Sequence, residues 1–225
     1  MIAEPVPGHR TEQGCDLPLL VWRLPEPVFA VSSAVLGGGL GPCHWIVNAT
    51  VPMSYDRDDP AAHLGEIAAG LDLTGPGVGL LTGVDVADVV AADDEGVRLW
   101  ATVGLSAPIQ AAAAPTTEQG PYAGTVNLVA WVPQRLSDGA LVNAVATITE
   151  AKTQAIRELG LAATGTATDA VVVLCPPNGP AAAYGGPRAP WGRRLANAAF
   201  RAVLDGGAAN LAGPSSWSER QNQDC

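Results

Sequence analysis

One lysine stands out among the residues that could do chemistry. The chain has 12 lysine and arginine residues, and Lys152 is the only lysine among them. On a helical wheel at about 100° per residue, Lys152 falls inside an apolar stripe. The other members of that stripe are Leu141, Val145, Ile148, Ala155 and Leu159. Because a buried ammonium must be paired or functional, we predict that Lys152 is a buried catalytic residue. The alternative is a lysine whose stem covers apolar surface while its ammonium reaches solvent.

Glu150 is the nearest carboxylate in the chain to Lys152, and it falls nearly opposite Lys152 on the same wheel. A solvated helix face is the ordinary interpretation of that position. If the helix were packed on both sides, Glu150 would instead enter a second wall of the site. The periodicity leaves these two alternatives open.

The segment 164–169, TGTATD, is rich in hydroxyls and ends in Asp169, directly before an apolar run. Its threonines are Thr164, Thr166 and Thr168. Such a loop at the start of a buried strand can offer hydroxyls and backbone N–H groups to an oxyanion or to a polar substrate edge. It can equally be a turn that is satisfied by its own side chains.

Three further polar residues interrupt apolar, strand-like runs. Asn48 and Asn127 lie inside such runs, where a side-chain amide must find hydrogen-bond partners. Thr82 lies at the end of another run, directly before Gly83. Each is a candidate for substrate binding, and a purely structural role is the alternative for each.

The histidines and cysteines give little support to other chemistry. His9, His44 and His63 have none of the spacings of zinc sites, so we predict no metal. A dyad of Cys175 with His44 is conceivable, but a buried, inert thiol is the ordinary interpretation of a cysteine that ends an apolar strand.

The elements that must position these residues alternate along the chain. Apolar runs predict strands over 28–36, 44–51, 77–83, 97–105, 124–132 and 170–175. Helices are predicted from Asp59-Pro60, over 137–159 with Ser137 as its cap, and from Pro190 to about residue 204. This mixture predicts the α/β (mixed α+β) class, with a mixed sheet and about three main helices in one domain over 27–205. Residues 1–26 are expected to be an irregular lead-in, and residues 206–225 a disordered tail.

Composition narrows the class of protein. The chain has 225 residues, 48% of them hydrophobic and only 15% charged, with a net charge of −10. Nucleic-acid binding depends on clustered lysine and arginine, and an acidic chain disfavours it. We expect no membrane segment and no signal peptide, four free thiols, and a cytoplasmic location. Assembly into a homo-oligomer is compatible with these features.

Several segments together resemble the adenosylcobinamide amidohydrolase family, and the likeness covers about residues 27–205. It is strongest in GTVNLVAWV (124–132), LSDGALVNAVATITEAKTQAIRELG (136–160), TGTATDAVVV (164–173) and GGPRAPWG (185–192). GGGLGPCHWIVNATV (37–51) and GVGLLTGVDV (77–86) add to it. The commoner form of the family's loop is TGTGTDA, and here Ala167 stands at its second glycine.

The resemblance implies hydrolysis of the amide that joins the corrin ring to its aminopropanol arm, giving adenosylcobyric acid and aminopropanol. The corrinoid is then the substrate, and no cofactor is expected. Glu150 or Asp169 would act as base toward water, and Lys152 would hold that base, stabilise the oxyanion or supply the proton. The threonines of 164–168 and Asn127 would line the scissile amide, although a threonine nucleophile remains an alternative. A corrinoid-binding module without catalysis and an amidase of another substrate are the competing functions.

Overall fold

Eight strands form one mixed sheet in the computed structural model, which describes residues 2–113, 124–214 and 216–221. The strands are β1 (Val6–Glu12), β2 (Cys15–Ser32), β3 (Gly39–Thr50), β4 (Gly77–Thr82), β5 (Val90–Asp94), β6 (Val97–Val103), β7 (Val126–Trp131) and β8 (Ala170–Cys175). Their order in the sheet is β4-β3-β2-β8-β7-β6-β5, and β1 pairs with β2 beside this path. The pairs β3–β4 and β7–β8 are parallel and the others are antiparallel.

Four α-helices accompany the sheet, namely α1 (Pro60–Gly70), α2 (Asp138–Glu158), α3 (Pro190–Ala212) and the short α4 (Trp217–Gln221). A single 3₁₀ turn covers Val86–Asp88. The predicted mixed α+β domain with three sizeable helices is therefore confirmed. None of the helices in the described ranges is both long and apolar enough to span a membrane.

The helices α2 and α3 pack against each other and cover one face of the sheet. Alternate residues of β7 divide between the two faces, as a period of two requires. Val126, Leu128 and Ala130 join the core under α2 and α3, whereas Val129 and Trp131 join a second core on the opposite face. Asn127 therefore points away from α2 and α3.

The start of α2 shows how local sequence defines an element. Ser137 has extended backbone geometry, and its hydroxyl accepts a hydrogen bond from the Ala140 N–H (3.2 Å). Asp138 lies in the first turn, where the helix dipole favours a negative charge. At α1, in contrast, the Asp59 side chain makes no capping hydrogen bond and pairs with Arg57.

Replacing Ser137 with Ala should lower the free energy of unfolding by about 1 kcal/mol, because the Ala140 N–H loses its acceptor. Urea denaturation with an unchanged m-value is the measurement. The matched control is Ser137→Asp, which keeps an acceptor at the cap and should stay close to wild type. Equal losses in both variants would contradict the capping role.

The prediction of an irregular lead-in over residues 1–26 is wrong. β1 and the first part of β2 occupy this segment, and they pair in register from Val6 with Val21 to Glu12 with Cys15. The prolines that suggested an irregular segment sit where a sheet tolerates them. The pairing of β2 with β3 is interrupted between Arg23 and Val28, a stretch that contains two of the prolines.

The prediction of a disordered tail over residues 206–225 is also wrong for its described part, and only residue 215 and residues 222–225 lie outside the described residues. α3 continues through Gly206 and Gly207 because these glycines let it approach the sheet closely. A Cβ on Gly206 would lie 2.9 Å from Val103, and one on Gly207 would lie 2.5 Å from Leu159. In α4, Trp217 is buried against Cys15 and Leu17 of β2.

Candidate active site

Lys152 is buried, as its place on the apolar stripe predicts. Only 6% of the residue is exposed, and its ammonium forms an ion pair with Asp169 Oδ2. The Asp169 side chain is itself only 13% exposed. The alternative of an ammonium that reaches solvent is therefore wrong, and the pair joins the middle of α2 to the residue that precedes β8.

Asp169 accepts hydrogen bonds from four donors. Its Oδ1 accepts from the Val126 N–H (2.9 Å) and from the Thr166 hydroxyl. Its Oδ2 accepts from the Thr166 N–H (3.0 Å) and from Lys152 Nζ. A carboxylate has about four lone-pair positions, and here each has a donor. Asp169 thus holds the loop 164–169 against the start of β7 and has no lone pair left for a water molecule.

Gly165 makes room for the ion pair. A Cβ at this position would lie 2.4 Å from both Lys152 Nζ and Asp169 Oδ2. Any other residue would place an atom where the two charged groups meet. The first glycine of the loop therefore has a steric role in the pair.

A cavity of about 560 Å³ opens beside this pair, at the end of the sheet where β4 ends and β7 and β8 begin. Four of the predicted site residues line it, namely Thr82, Asn127, Thr168 and Asp169. Its other lining residues include Ser33, Met53, Tyr55 and Thr125. The volume is in the range of small-molecule sites, which are usually about 300–1,000 Å³.

An asparagine pair crosses the sheet behind this cavity. Asn127 Nδ2 donates to Asn48 Oδ1 (3.0 Å) and to the Leu81 carbonyl (2.9 Å), and Asn48 Nδ2 donates to the Thr102 hydroxyl (3.0 Å). Asn127 Oδ1 has no hydrogen-bond partner among the described residues, so it is an available acceptor at the cavity wall. Asn48 is buried and does not line the cavity, so it supports Asn127 from behind.

The cavity wall also carries hydroxyl groups. The Thr168 and Thr125 hydroxyls lie 2.6 Å apart, and the Thr168 hydroxyl also lies 3.3 Å from the Gly124 carbonyl. The Thr82 hydroxyl accepts a 3.4 Å hydrogen bond from the Val84 N–H. These hydroxyls and Asn127 Oδ1 form a polar strip in an otherwise largely apolar cavity.

Three predicted residues do not reach this cavity. Thr166 lies behind Asp169 and is committed to it. Thr164 hydrogen-bonds to the Ala111 N–H (2.9 Å) and ties the loop to residues 109–111. Glu150 is on the exposed face of α2, so the structure does not bring it to Lys152.

Tyr55 and Thr125 are the lining residues with chemistry that the sequence analysis missed. Thr125 precedes β7 within a recognised motif, so its position next to Asn127 was an available signal. Tyr55 lies between β3 and α1, in a segment with no periodicity, and no local pattern marks it.

The thiols do not support nucleophilic catalysis. Cys43 and Cys175 are free and buried, and burial raises both thiol pKa values, that of Cys43 to about 11. The prediction of free thiols is wrong for Cys15, which is disulfide-bonded, and Cys225 lies outside the described residues. No three histidine, cysteine, aspartate or glutamate side chains in the described part of the chain are grouped so that they could hold a metal ion.

Comparison with known proteins relates this geometry to a family. The profile of the adenosylcobinamide amidohydrolase family matches residues 3–213. The chain belongs to the adenosylcobinamide amidohydrolase family. A relative of that name from Methanosarcina mazei is 29% identical over 187 residues, covering 79% of this chain and 90% of the relative. Another of the same name, from Halobacterium salinarum, is 37% identical over 168 residues, covering 69% and 71%.

Among solved structures, the PH0078 protein from Pyrococcus horikoshii aligns with 91% of this chain and 84% of its own, with a TM-score of 0.47 and 11% identity. The adenosylcobinamide amidohydrolase match extends from the residues before β1 through α3. It therefore includes the segments that the sequence analysis had set aside as a lead-in and the first part of the tail.

Proposed function

We propose that this chain hydrolyses the amide bond between the corrin ring and the aminopropanol arm of adenosylcobinamide. The products are adenosylcobyric acid and aminopropanol, and the reaction serves corrinoid salvage. Membership of the family supports this activity. The enzyme is thus a hydrolase that acts on a linear carbon–nitrogen bond.

The observation that carries the proposal is the convergence of family-motif residues on one cavity. Asn127, Thr168 and Asp169 come from two of the strongest motifs, and Thr82 comes from a third. They meet at the 560 Å³ cavity although 87 residues separate the first from the last in the sequence. A corrin with its amide arms is larger than this space, so the reacting arm enters the cavity and the ring lies at its mouth.

The wall residues suit the chemistry of an amide arm. Asn127 Oδ1 accepts from the N–H of the scissile amide, and the hydroxyls of Thr168 and Thr125 donate to its carbonyl oxygen as charge develops there. Lys152 acts one step back, because its ammonium holds Asp169, and Asp169 in turn holds the loop that presents Thr168. We therefore assign Lys152 and Asp169 to positioning.

Replacing Asn127 with Leu should raise KM about tenfold, because the amide N–H of the substrate loses an acceptor worth about 1.4 kcal/mol. Asn48→Leu is the matched control, since it breaks the same Asn48–Asn127 hydrogen bond without changing the cavity wall. Both variants should lose about 1–3 kcal/mol of stability. Steady-state kinetics that show equal KM changes in the two variants would remove Asn127 from substrate binding.

The activity is tested by incubating the purified chain with adenosylcobinamide and separating the corrinoids by chromatography. Accumulation of adenosylcobyric acid with equimolar aminopropanol is expected. Binding without product would favour a corrinoid-binding module, and neither binding nor product would favour an amidase of another substrate.

We further propose that the chain works in the cytoplasm on a small-molecule corrinoid and does not bind nucleic acid. Its net charge of −10 supports the exclusion of nucleic acid. The disulfide at Cys15 points the other way on location, because the cytoplasm keeps most thiols reduced. Fractionation of cells with an antibody to the chain decides the location.

A further inference from the structure

Tyr55 connects the candidate active site to a second cavity. It lines the 560 Å³ cavity and also an adjoining cavity of about 590 Å³, and Pro52 likewise lines both. Tyr55 is half-buried, and it lies between the end of β3 and the start of α1. A group on the shared wall of two cavities can contact a ligand in one and protein groups in the other.

Behind Tyr55, two hydrogen bonds form a chain that we call the Tyr55 relay (Tyr55, His63 and Glu12). The Tyr55 hydroxyl lies 3.1 Å from His63 Nδ1, and His63 Nε2 lies 2.9 Å from Glu12 Oε1. The two rings are stacked with centroids 5.5 Å apart and planes 20° apart. His63 is buried, so its nitrogens depend on these two partners.

The direction of the hydrogen bonds follows from the carboxylate. Burial raises the pKa of Glu12, but hydrogen bonds from Arg10 and His63 outweigh that effect and bring the pKa below its usual value. An ionised carboxylate only accepts, so His63 Nε2 carries a hydrogen and Nδ1 of the neutral ring is an acceptor. The Tyr55 hydroxyl therefore donates to His63. Burial also raises the pKa of Tyr55, so this hydroxyl keeps its proton at neutral pH.

This arrangement matters because the cavity needs a proton acceptor. Among the described residues that line it, Tyr55 and Asp169 are the titratable ones. The lone pairs of Asp169 are already occupied by four donors. Glu150 is exposed on the far face of α2. The Tyr55 relay is then the route by which a proton can leave the cavity.

We infer that Tyr55 is a catalytic residue that passes the proton of the attacking water to His63, with Glu12 as the positioning carboxylate. The inference rests on the proposed function. The water oxygen bonds to the amide carbon while its proton moves to the Tyr55 oxygen and the Tyr55 proton moves to His63 Nδ1. Glu12 stabilises the resulting imidazolium, as a carboxylate does in a hydrolytic triad. When the carbon–nitrogen bond breaks, the same proton returns through Tyr55 to the departing amine nitrogen, so the relay ends as it began.

The same contacts also tie β1 to α1, and the test must separate that structural effect from catalysis. Tyr55→Phe removes the hydroxyl and keeps the stacked ring, so it should fold. We expect its kcat for adenosylcobinamide to fall about 100-fold while KM changes less than about threefold. Tyr184→Phe, at a tyrosine that is 77% exposed, is the matched control and should match wild type.

A second variant tests whether the residues act as a unit. His63→Gln keeps a donor for Glu12 but removes the acceptor of Tyr55, and its kcat should also fall at least about tenfold. The double variant should be no slower than Tyr55→Phe, because the relay is already broken. Independent structural effects would instead multiply the two losses.

The outcomes distinguish the two proposals. If wild type forms adenosylcobyric acid and folded Tyr55→Phe retains its kcat, the Tyr55 relay is wrong and the proposed function stands. Losses that multiply in the double variant would also overturn the relay. If wild type forms no product, the proposed function fails, and this inference fails with it.

Discussion

Replacing Lys152 with Met is expected to reduce kcat/KM for adenosylcobinamide about 1,000-fold. Met fills a similar volume in the apolar stripe of α2 but removes the charge that Asp169 faces. Without it, the carboxylate is drawn toward solvent and the loop 164–169 no longer holds Thr168 at the cavity wall. Electrostatic and positioning groups of an active site commonly contribute effects of this size.

The same substitution should lower the free energy of unfolding by about 3–5 kcal/mol, because it leaves a buried carboxylate without its countercharge. Domains of this kind are usually stable by about 5–15 kcal/mol, so the variant should still fold at low temperature. Thermal unfolding followed by circular dichroism gives the loss in stability, and the kinetics are measured well below that transition.

A double variant, Lys152→Met with Asp169→Asn, separates the two effects. Neutralising Asp169 removes the uncompensated charge, so part of the stability should return. Activity should remain low because the loop has lost the contacts that hold it. Wild-type turnover in folded Lys152→Met would remove Lys152 from the mechanism altogether.

Replacing Gly165 with Ala is expected to lower kcat/KM about 100-fold although no charged group is changed. The new methyl would lie 2.4 Å from Lys152 Nζ and from Asp169 Oδ2, which is closer than atoms can approach. Asp169 is held by backbone and hydroxyl donors, whereas the lysine stem is flexible, so the ammonium must move away. The variant should therefore reproduce the broken ion pair of Lys152→Met, at a stability cost of about 1–3 kcal/mol.

Gly139→Ala is the matched control for this substitution. A Cβ at Gly139, in the first turn of α2, meets nothing within 4 Å. Ala there should increase stability by about 0.4–1 kcal/mol and leave turnover at the wild-type value. Comparable activity in the two alanine variants would show that the crowding at Gly165 is relieved without disturbing the ion pair.

The burial of Lys152 could be predicted because helical periodicity is a local property. The spacing of apolar residues in α2 identifies its buried face without reference to the rest of the chain. The partner of Lys152 could not be chosen in the same way. Glu150 is two residues away and Asp169 is 17 away, and only the folding of the loop back onto α2 selects the distant one.

The errors at the two ends of the chain have the same origin. Prolines in 1–26 and glycines after residue 205 suggested irregular structure, because these residues usually interrupt helices and strands. In the fold, the prolines of β2 lie at a break in its pairing with β3, and Gly206 and Gly207 allow close packing of α3 on the sheet. Such contacts are invisible to a local pattern.

By itself, the sequence determined the mixed α+β class, the buried lysine, the hydroxyl loop before β8 and the family, since all of these depend on local periodicity or on contiguous motifs. Only the tertiary structure decided which of those residues meet. Strand pairing brought Thr82 and Asn127 to one cavity, moved Asn48 behind it, left Glu150 in solvent and placed Tyr55 before His63 and Glu12. The physical reason is that side chains from distant segments become neighbours only when the sheet forms, and its long-range pairings are not encoded in any single stretch of the chain.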